Sequence, residues 1–353
     1  MSTELKTLTA ANDALNDAVE LRARMKRDGY LFIKRLFDPD AVLALRKDML
    51  TVIQNGGWLV ADTDPMDGIA DVSRKCTEGD PGYTDVYHQV YSLQSFHEAG
   101  HWPSALDVMG KIVDGPVFPH PAKIARIWFP QFTEHTTPVH QDFVHFQGSF
   151  DTYTCWAPVG ECPIELGGLA VLPQSHHVGK VLDHKFSLGA GSLVVEGAEQ
   201  RGGWHSIDYE PGDALLFHSL TLHRALPNVT EDRLRVSLDN RYQSDLNPVA
   251  EHMLEPHLQG DPPVISWDEI YTAWTDATLQ HYWLDRDGPV SPKDNSYGEQ
   301  GFADMVDKAR QGDAHAVLQL QRIVNNSPSS ERGLAAAHVL KEEPLNVNVP
   351  RDL

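Results

Sequence analysis

The spacing of hydrophobic residues divides the chain into a helical start, a strand-rich centre and a helical end. Ala, Leu and Val recur at helical spacing over residues 10–28, and Gly29 follows as a C-terminal stop. After a short apolar strand candidate, Asp38 and Pro39 form an N-cap and a first helical turn, which predicts a second helix. We therefore expect a helical entry layer over residues 1–115.

The next stretch, residues 61–82, loses this apolar periodicity and is rich in Asp, Gly and Pro. Its composition predicts a long loop, and long ordered loops are often lids or binding segments. Simple decoration of the surface is an equally good interpretation. The pattern then becomes mostly helical again until about residue 113.

Strands dominate from residue 124 onward. The segment beginning at Ile124 is strand-like, and Phe129-Pro130 closes it. Short strand candidates separated by Gly, Pro, Asn and Asp turns then follow at residues 139–146, 152–158, 168–172, 191–197, 203–208, 213–218 and 233–243. Many short strands without helical periods between them indicate a β-sandwich or barrel.

The character changes once more beyond Pro262-Pro263. The segment SWDE at 266–269 is a capping box that opens an amphipathic helix. Further helices are predicted near residues 302–311, 313–324 (with Asp313 as cap) and 330–341. Residues 261–353 are thus expected to form a helical extension, which either covers the barrel or builds a contact in a homo-oligomer.

Composition narrows the partners and the compartment. The formal net charge of −21 opposes binding to nucleic acid and to anionic membranes. The three cysteines are too few and too scattered for a disulfide framework, so a cytoplasmic setting is expected. The N-terminus has no apolar segment of the signal-peptide type, and no run of about 18 apolar residues occurs. We therefore expect neither secretion nor membrane spanning.

Candidate metal ligands occur in the tripeptide His140-Gln141-Asp142. On a β-strand, side chains alternate between the two faces, so His140 and Asp142 would point to one side. His223, after another strand-like segment, is the candidate for a third ligand. Two histidines and one carboxylate form the facial triad of non-haem Fe(II) oxygenases, although zinc also accepts these ligands.

Several motifs together resemble the phytanoyl-CoA dioxygenase family of Fe(II)- and 2-oxoglutarate-dependent oxygenases. Family members carry a His-x-Asp pair, a Gly-x-Leu-x-x-x-Pro-Gly-Ser-His segment, a distal His, an Asn five residues later and an Arg on the next strand. The matching positions are His140 and Asp142, Gly168 to His176, His223, Asn228 and Arg235. This chain departs from the pattern at Gln174, where the family has Gly in a turn, and by one extra residue between His223 and the Arg.

The resemblance implies a double-stranded β-helix, or jelly roll, with flanking helices. It places the oxygenase domain at residues 1–260 and its jelly-roll core at 120–245. It also implies Fe(2+), 2-oxoglutarate and O2 as cofactor and co-substrates, with succinate and CO2 released as an unactivated C–H bond is oxidised. Because Asp142 is retained, hydroxylation or desaturation is expected rather than halogenation.

Arg235 is the candidate for binding 2-oxoglutarate. Ser237 lies two positions further on the same predicted strand face, and a guanidinium suits the remote carboxylate of this acid. Arg233 competes for the role because of the extra residue. Arg126 and Lys123, on the strand before the metal ligands, are further candidates for a carboxylate contact. Trp156 is expected to line the site or to belong to the core.

His176, His177, His184 and His205 are expected to be structural. His145 should face away from His140 if both lie on one strand, and His218 is a weaker alternative to His223 as a ligand. A chain without a basic cluster fits the phosphates of coenzyme A poorly, so a small polar or natural-product-like substrate is expected. The alternatives are a non-catalytic metal-binding protein, or a cupin-type hydrolase on the same scaffold.

Overall fold

The structure is a computed structural model that describes residues 4–257 and 264–342. Its helices are α1 (Ala18–Asp28), α2 (Pro39–Asn55), α3 (Tyr83–Tyr91), α4 (Gln94–Ala99), α5 (Pro103–Val113), α6 (Phe143–Phe146), α7 (Trp267–Tyr271), α8 (Ser296–Arg310), α9 (Ala314–Asn326) and α10 (Glu331–Glu342). Its strands are β1 (Lys6–Thr7), β2 (Tyr30–Ile33), β3 (Val117–Pro119), β4 (Ile124–Trp128), β5 (Thr152–Pro158), β6 (Leu169–Val171), β7 (Lys185–Phe186), β8 (Leu193–Val194), β9 (His205–Ser206), β10 (Ala214–His218), β11 (His223–Ala225), β12 (Arg235–Ser244), β13 (Val249–Ala250) and β14 (Val290–Ser291).

Two mainly antiparallel sheets form the centre of the molecule and confirm the predicted jelly roll. The larger sheet has the order β2-β10-β5-β12-β3, with β4 also paired to β12, and the smaller one has the order β1-β9-β6-β11. β12 is the longest strand and pairs with β5 over seven positions, from Ser237 to Gln243. It therefore runs through the middle of the larger sheet, beside the site described below.

The N-terminal helices follow their predicted capping signals. The Asp17 side chain accepts hydrogen bonds from the first turn of α1, so this helix begins at Ala18 and not at residue 10. Gly29 ends α1 at φ +78°, a left-handed conformation that glycine adopts without strain. Asp38 caps α2, and Pro39 is its first residue, as predicted.

The central strands agree only in part with the predictions. The candidates at 152–158, 168–172, 213–218 and 233–243 are confirmed as β5, β6, β10 and β12, whereas those at 191–197 and 203–208 are reduced to the two-residue strands β8 and β9. The strand predicted at 139–146 is wrong. His140 forms an isolated bridge with His223, and residues 143–146 are the helical turn α6. Phe143 and Phe146 are three residues apart, which places them on one face of a helix but on opposite faces of a strand, so this spacing favours the helical turn.

The loop at 61–82 is irregular, as predicted, but is firmly anchored. It contains short 3₁₀ turns at 65–67 and 72–74, and Ile69 forms a bridge to Arg233. At its far end, Asp80 makes an ion pair of 2.7 Å with Arg322 of α9. The loop is thus held between the jelly roll and the C-terminal helices.

The C-terminal residues pack in two places. Ser266 and Glu269 form the predicted capping box of α7, and Trp267 and Trp283 join the apolar cluster that also contains α2 and α3. Helices α8, α9 and α10 share a separate apolar cluster with Phe186. The predicted boundary at Pro262-Pro263 lies outside the described residues. No helix in 4–257 or 264–342 has the length and apolar character needed to cross a membrane.

Candidate active site

Three predicted ligands converge at one end of the jelly roll. His140 and His223 exchange two backbone hydrogen bonds of 3.1 and 3.2 Å across their bridge. Each Nε2 atom lies 3.4 Å from Oδ1 of Asp142, and the three ligand atoms lie within 4.8 Å of one another. No second cluster of this kind occurs in the part of the chain that the structure describes.

Neighbouring groups orient each of the three side chains. Nδ1 of His140 donates to the carbonyl of Pro138 at 2.8 Å, and Nδ1 of His223 donates to the carbonyl of Thr221 at 3.0 Å. Both Nε2 atoms therefore keep a lone pair that can bind a metal ion beside Asp142. Thr154 on β5 donates to the other carboxylate oxygen, Oδ2, at 2.5 Å.

Electrostatics favour the ligand forms of these groups. Burial opposes ionisation of Asp142, yet the neighbouring His223 and Arg241 hold the pKa of this carboxyl well below its usual range. Burial, reinforced by His223, lowers the pKa of His140. A neutral imidazole beside a carboxylate on one face is the donor set that ferrous iron accepts with open positions remaining.

An inner cavity of about 30 Å³ adjoins the triad and brings the predicted co-substrate residues together. Nη1 of Arg235 donates to Oγ of Ser237 at 2.5 Å, and Nε1 of Trp156 donates to the same oxygen at 3.1 Å. Arg235 is buried, and its Nε atom has no partner among the described residues. The competitor Arg233 is exposed at the surface.

A larger outer cavity of about 540 Å³ opens on the other side of His140 and Asp142. It is lined by apolar, basic, acidic and imidazole side chains, and part of its wall comes from beyond the jelly roll. Its remaining lining residues are Glu78, Ala122, Ile124, Arg126, His145, Phe146, Ala190, Gly191, Arg241, His252, Met253, Glu255, Pro256, His257 and Lys293.

Arg126 lies at the site, as predicted, whereas Lys123 does not. Arg126 lines both cavities and makes ion pairs with Glu78 at 2.7 Å and Asp239 at 3.2 Å. Lys123 lines neither cavity, and its Nζ atom donates to the carbonyl of His120 at 3.2 Å. Residues three apart on an extended segment face opposite ways, which explains why the two basic groups separate.

Sequence reasoning missed several groups that line the outer cavity, among them His145, Arg241 and Glu78. His145 faces the cavity because α6 replaces the predicted strand. Arg241 lies on the same face of β12 as Arg235 and Ser237, so extending their alternation would have found it. Glu78 comes from the loop at 61–82, where no sequence pattern indicates a direction.

The other histidines weighed from the sequence lie outside the ligand cluster. His218 lies 3.7 Å from Asp151 and does not join the ligand cluster. Nε2 of His184 accepts the backbone N–H of Gln141, which supports the segment between the two ligands. His176 contacts the carbonyl of Lys26. The nearby Gln174 has φ +66°, the left-handed conformation for which the family pattern has glycine.

Two imidazoles and a carboxylate around open positions, next to a buried arginine, define the class of non-haem iron enzymes that use a keto acid. The chain matches the family described as phytanoyl-CoA dioxygenase (PhyH) over residues 25–236, and it belongs to that family. It is an Fe(II)- and 2-oxoglutarate-dependent dioxygenase that oxidises a C–H bond of a small molecule with release of succinate and CO2.

The chain is similar to two curated hydroxylases. It is 25% identical over 269 residues to 1-deoxypentalenic acid 11-beta-hydroxylase of Streptomyces exfoliatus, covering 71% of this chain and 89% of that protein. It is 26% identical over 254 residues to the enzyme of the same name from Streptomyces arenae, covering 67% and 84%. These relatives do not favour the non-catalytic or hydrolase alternatives.

Among solved structures, the chain resembles the non-heme alpha ketoglutarate dependent epimerase SnoN from nogalamycin biosynthesis. The TM-score is 0.44 at 16% sequence identity, and the overlap covers 66% of this chain and 84% of that one.

Proposed function

We propose that His140, Asp142 and His223 hold the ferrous ion and that Arg235 binds the remote carboxylate of 2-oxoglutarate. The convergence of the three ligand atoms within 4.8 Å is the observation that carries this proposal. Arg235 supports it because a buried guanidinium with an unpartnered N–H lines the cavity beside the triad.

The protein's own contribution is to position groups and to exclude water. Iron with 2-oxoglutarate and O2 supplies the oxidising power when bound. Thr154 fixes the orientation of Asp142, and Trp156 fixes the hydroxyl of Ser237 against Arg235. Phe217 and Leu169 line the inner cavity with apolar surface, which limits the entry of water.

For the substrate, we propose a small, natural-product-like molecule with an apolar body, bound in the outer cavity. The curated relatives act, by their names, on 1-deoxypentalenic acid. Ile124, Phe146 and Met253 give the outer cavity apolar walls beside His140 and Asp142. A cavity of about 540 Å³ falls in the range of small-molecule sites, about 300–1,000 Å³.

The test is an anaerobic titration of the protein with Fe(II) and then 2-oxoglutarate. We expect a visible charge-transfer absorption on addition of the keto acid, and succinate when O2 is admitted. A fully metallated protein that shows no such band would contradict the ligand assignment. A screen of small apolar metabolites, scored by substrate-dependent succinate release, then identifies the molecule that is oxidised.

We further propose that residues 1–260 form the oxygenase domain, with 261–353 packed on it as an extension and able to mediate a homo-oligomer. Leu334 on α10 is 61% exposed, which supports a surface contact there. Light scattering of the wild type and of Leu334→Glu tests this, and a wild-type monomer would contradict it. We also propose a cytoplasmic location, which the three scattered, unpaired cysteines support.

A further inference from the structure

We propose that Arg241 binds a carboxylate of the substrate in the outer cavity, so that the enzyme selects an acid rather than a neutral molecule. This inference rests on the proposed function, because it assigns the substrate to the outer cavity and the remote carboxylate of 2-oxoglutarate to Arg235 at the inner one. Arg241 is a binding and orienting group for the substrate in this account.

The strand β12 places Arg241 at the junction of the two cavities. Arg235, Ser237, Asp239 and Arg241 occupy alternate positions of one continuous strand and therefore share a face. Arg235 lines only the inner cavity, whereas Arg241 lines both cavities. These four side chains thus lead from Arg235, the proposed co-substrate residue, to the wall of the outer cavity.

Two nitrogen atoms of the Arg241 guanidinium have no hydrogen-bond acceptor among the described residues. Its exposed fraction is 3%, and its Nε and Nη1 atoms have no hydrogen-bond partner among residues 4–257 and 264–342. Only Nη2 approaches carboxylates, with 3.5 Å to Asp239 and 3.7 Å to Asp142, and both distances exceed those of a hydrogen bond. Buried donors are normally satisfied, so these two nitrogen atoms are available to an acceptor that enters the cavity.

The charge of Arg241 is also incompletely balanced. Arg126 makes an ion pair of 2.7 Å with Glu78 and a second one of 3.2 Å with Asp239. Asp142 is the proposed metal ligand, so its negative charge is directed to the metal. Arg241 is left with a share of Asp239, whose Oδ1 atom has no partner among the described residues. A substrate carboxylate would give Arg241 a closer acceptor than either of these aspartates.

The stacking of the guanidinium indicates from which side that anion approaches. The guanidinium carbon of Arg241 lies 4.0 Å from the ring centre of Phe146, so the ring covers one face and the N–H edge remains available. Phe146 lines the outer cavity but not the inner one. A planar carboxylate that meets the Nε–Nη1 or Nη1–Nη2 edge can accept two parallel hydrogen bonds.

The experiment compares acids with their neutral amides. The probes are 1-deoxypentalenic acid and adamantane-1-carboxylic acid, each beside its primary amide, added to the anaerobic protein loaded with Fe(II) and 2-oxoglutarate. Calorimetry gives the Kd of each probe. We expect at least one acid to bind the wild type about 10-fold or more tightly than its amide, because one charge-assisted bidentate contact is lost in the amide.

Arg241→Gln should bring the Kd values of that acid and its amide to within about 3-fold of each other, since the charge-assisted contact is absent. Arg241→Lys should retain part of the preference, because a point charge replaces the bidentate fork. Because Arg241 also lines the inner cavity, the Kd for 2-oxoglutarate is measured for each variant, and the acid-to-amide ratio is taken at saturating Fe(II) and 2-oxoglutarate. Arg233→Gln is the control, because Arg233 is exposed and lines neither cavity.

Three results would overturn the inference. If both acids bind the wild type no better than their amides while the band is normal, the substrate class is wrong and the proposed function stands. If Arg241→Gln and Arg241→Lys both lose the band or the metal without changing the acid-to-amide ratio, Arg241 only positions Asp142. If the wild type shows no band, the inference fails together with the proposed function.

Discussion

The two cavities beside His140 and Asp142 differ in size and in the origin of their walls. The inner one holds about 30 Å³ and is lined by residues between Arg126 and Arg241. The outer cavity has a volume of about 540 Å³. Part of its lining consists of Glu78 from the loop at 61–82, of residues from 252–257 and of Lys293. The family match ends at residue 236, so much of the outer wall lies beyond it.

This contrast separates two tasks of the enzyme. Metal and keto-acid binding require one fixed geometry, and the jelly roll provides it with paired strands and buried hydrogen bonds. Substrate selection requires a shape that can differ from enzyme to enzyme, and loops and added helices provide it. Substitutions in the inner cavity should therefore affect every substrate, whereas substitutions around the outer cavity should change the choice of substrate.

The largest effect is expected from His223→Ala. The variant loses one of three metal ligands, so we expect Fe(II) affinity to fall by more than the about 10–100-fold typical of outer-shell changes. Succinate formation should fall to background. The matched control is His218→Ala, because His218 lies outside the ligand cluster. Equal loss of iron in both variants, measured by metal content after dialysis, would contradict the assignment.

A smaller effect is expected from Arg235→Gln. Two charge-assisted hydrogen bonds of about 1.5 kcal/mol each would be lost, which raises the Kd for 2-oxoglutarate by about 100-fold. Iron binding should remain, since Arg235 is not a ligand. Arg233→Gln should leave the Kd unchanged because its side chain is exposed. The charge-transfer titration measures both variants, and a stronger effect at Arg233 would reverse the assignment.

Arg322→Gln tests the support of the outer cavity. Arg322 donates to Asp80 from Nε at 2.8 Å and to Nε2 of His135 from Nη2 at 3.0 Å. Breaking a buried ion pair costs about 3–5 kcal/mol, and we expect about 2 kcal/mol in the free energy of unfolding because Asp80 is partly exposed. Glu78, two residues away, lines only the outer cavity.

The KM for the substrate should therefore rise several-fold in Arg322→Gln, with the Kd for 2-oxoglutarate unchanged. Hydrogen exchange should increase around Asp80. Arg310→Gln is the control, because Arg310 faces Asp307 at 3.9 Å on the exposed side of α8. A parallel loss of 2-oxoglutarate affinity would show that the two cavities are not independent.

The smallest effect on ligand binding is expected from Lys123, which lines neither cavity. Burial lowers the pKa of its ammonium group from 10.5 to about 7. The unfolded chain then binds the extra proton between pH 7 and about 10, so stability rises with pH by up to about 1.4 kcal/mol per unit. In Lys123→Met this contribution to the slope should disappear, while the Kd for 2-oxoglutarate stays unchanged.

Urea unfolding at pH 7, 8 and 9 measures that slope. Lys180→Met is the control, because Lys180 is exposed and should retain the wild-type pH dependence. Weaker binding of 2-oxoglutarate by Lys123→Met would restore the role predicted for this lysine from the sequence.

The predictions from sequence were strongest where chemistry and local spacing coincide. The three candidate ligands, which the structure brings together, followed from residue type and order, although the reason given for His140 and Asp142 was partly wrong. A single bridge followed by a helical turn brings these side chains together instead of a continuous strand. The alternation on β12 correctly paired Arg235 with Ser237, and the same rule extends to Arg241.

Contacts between distant segments could not be predicted in this way. Glu78 reaches Arg126 from an irregular loop, and Arg322 reaches Asp80 across 242 residues of sequence. Neither pair has a fixed spacing or a periodic pattern, because tertiary packing alone brings them together. The sequence did not predict which way the side chain of Lys123 points. The first residue of β4 decides on which face of the sheet Lys123 lies, and strand ends are poorly defined by sequence.

The paired backbone of His140 and His223 bears on how the enzyme could be handled in the laboratory. Because two main-chain hydrogen bonds align these imidazoles, the apoprotein should keep its native fold when a chelator strips the metal. Iron would then stabilise the protein only by mass action, in proportion to its affinity. Reconstitution with cobalt or nickel should accordingly be reversible and give spectroscopic reporters of an otherwise unchanged centre.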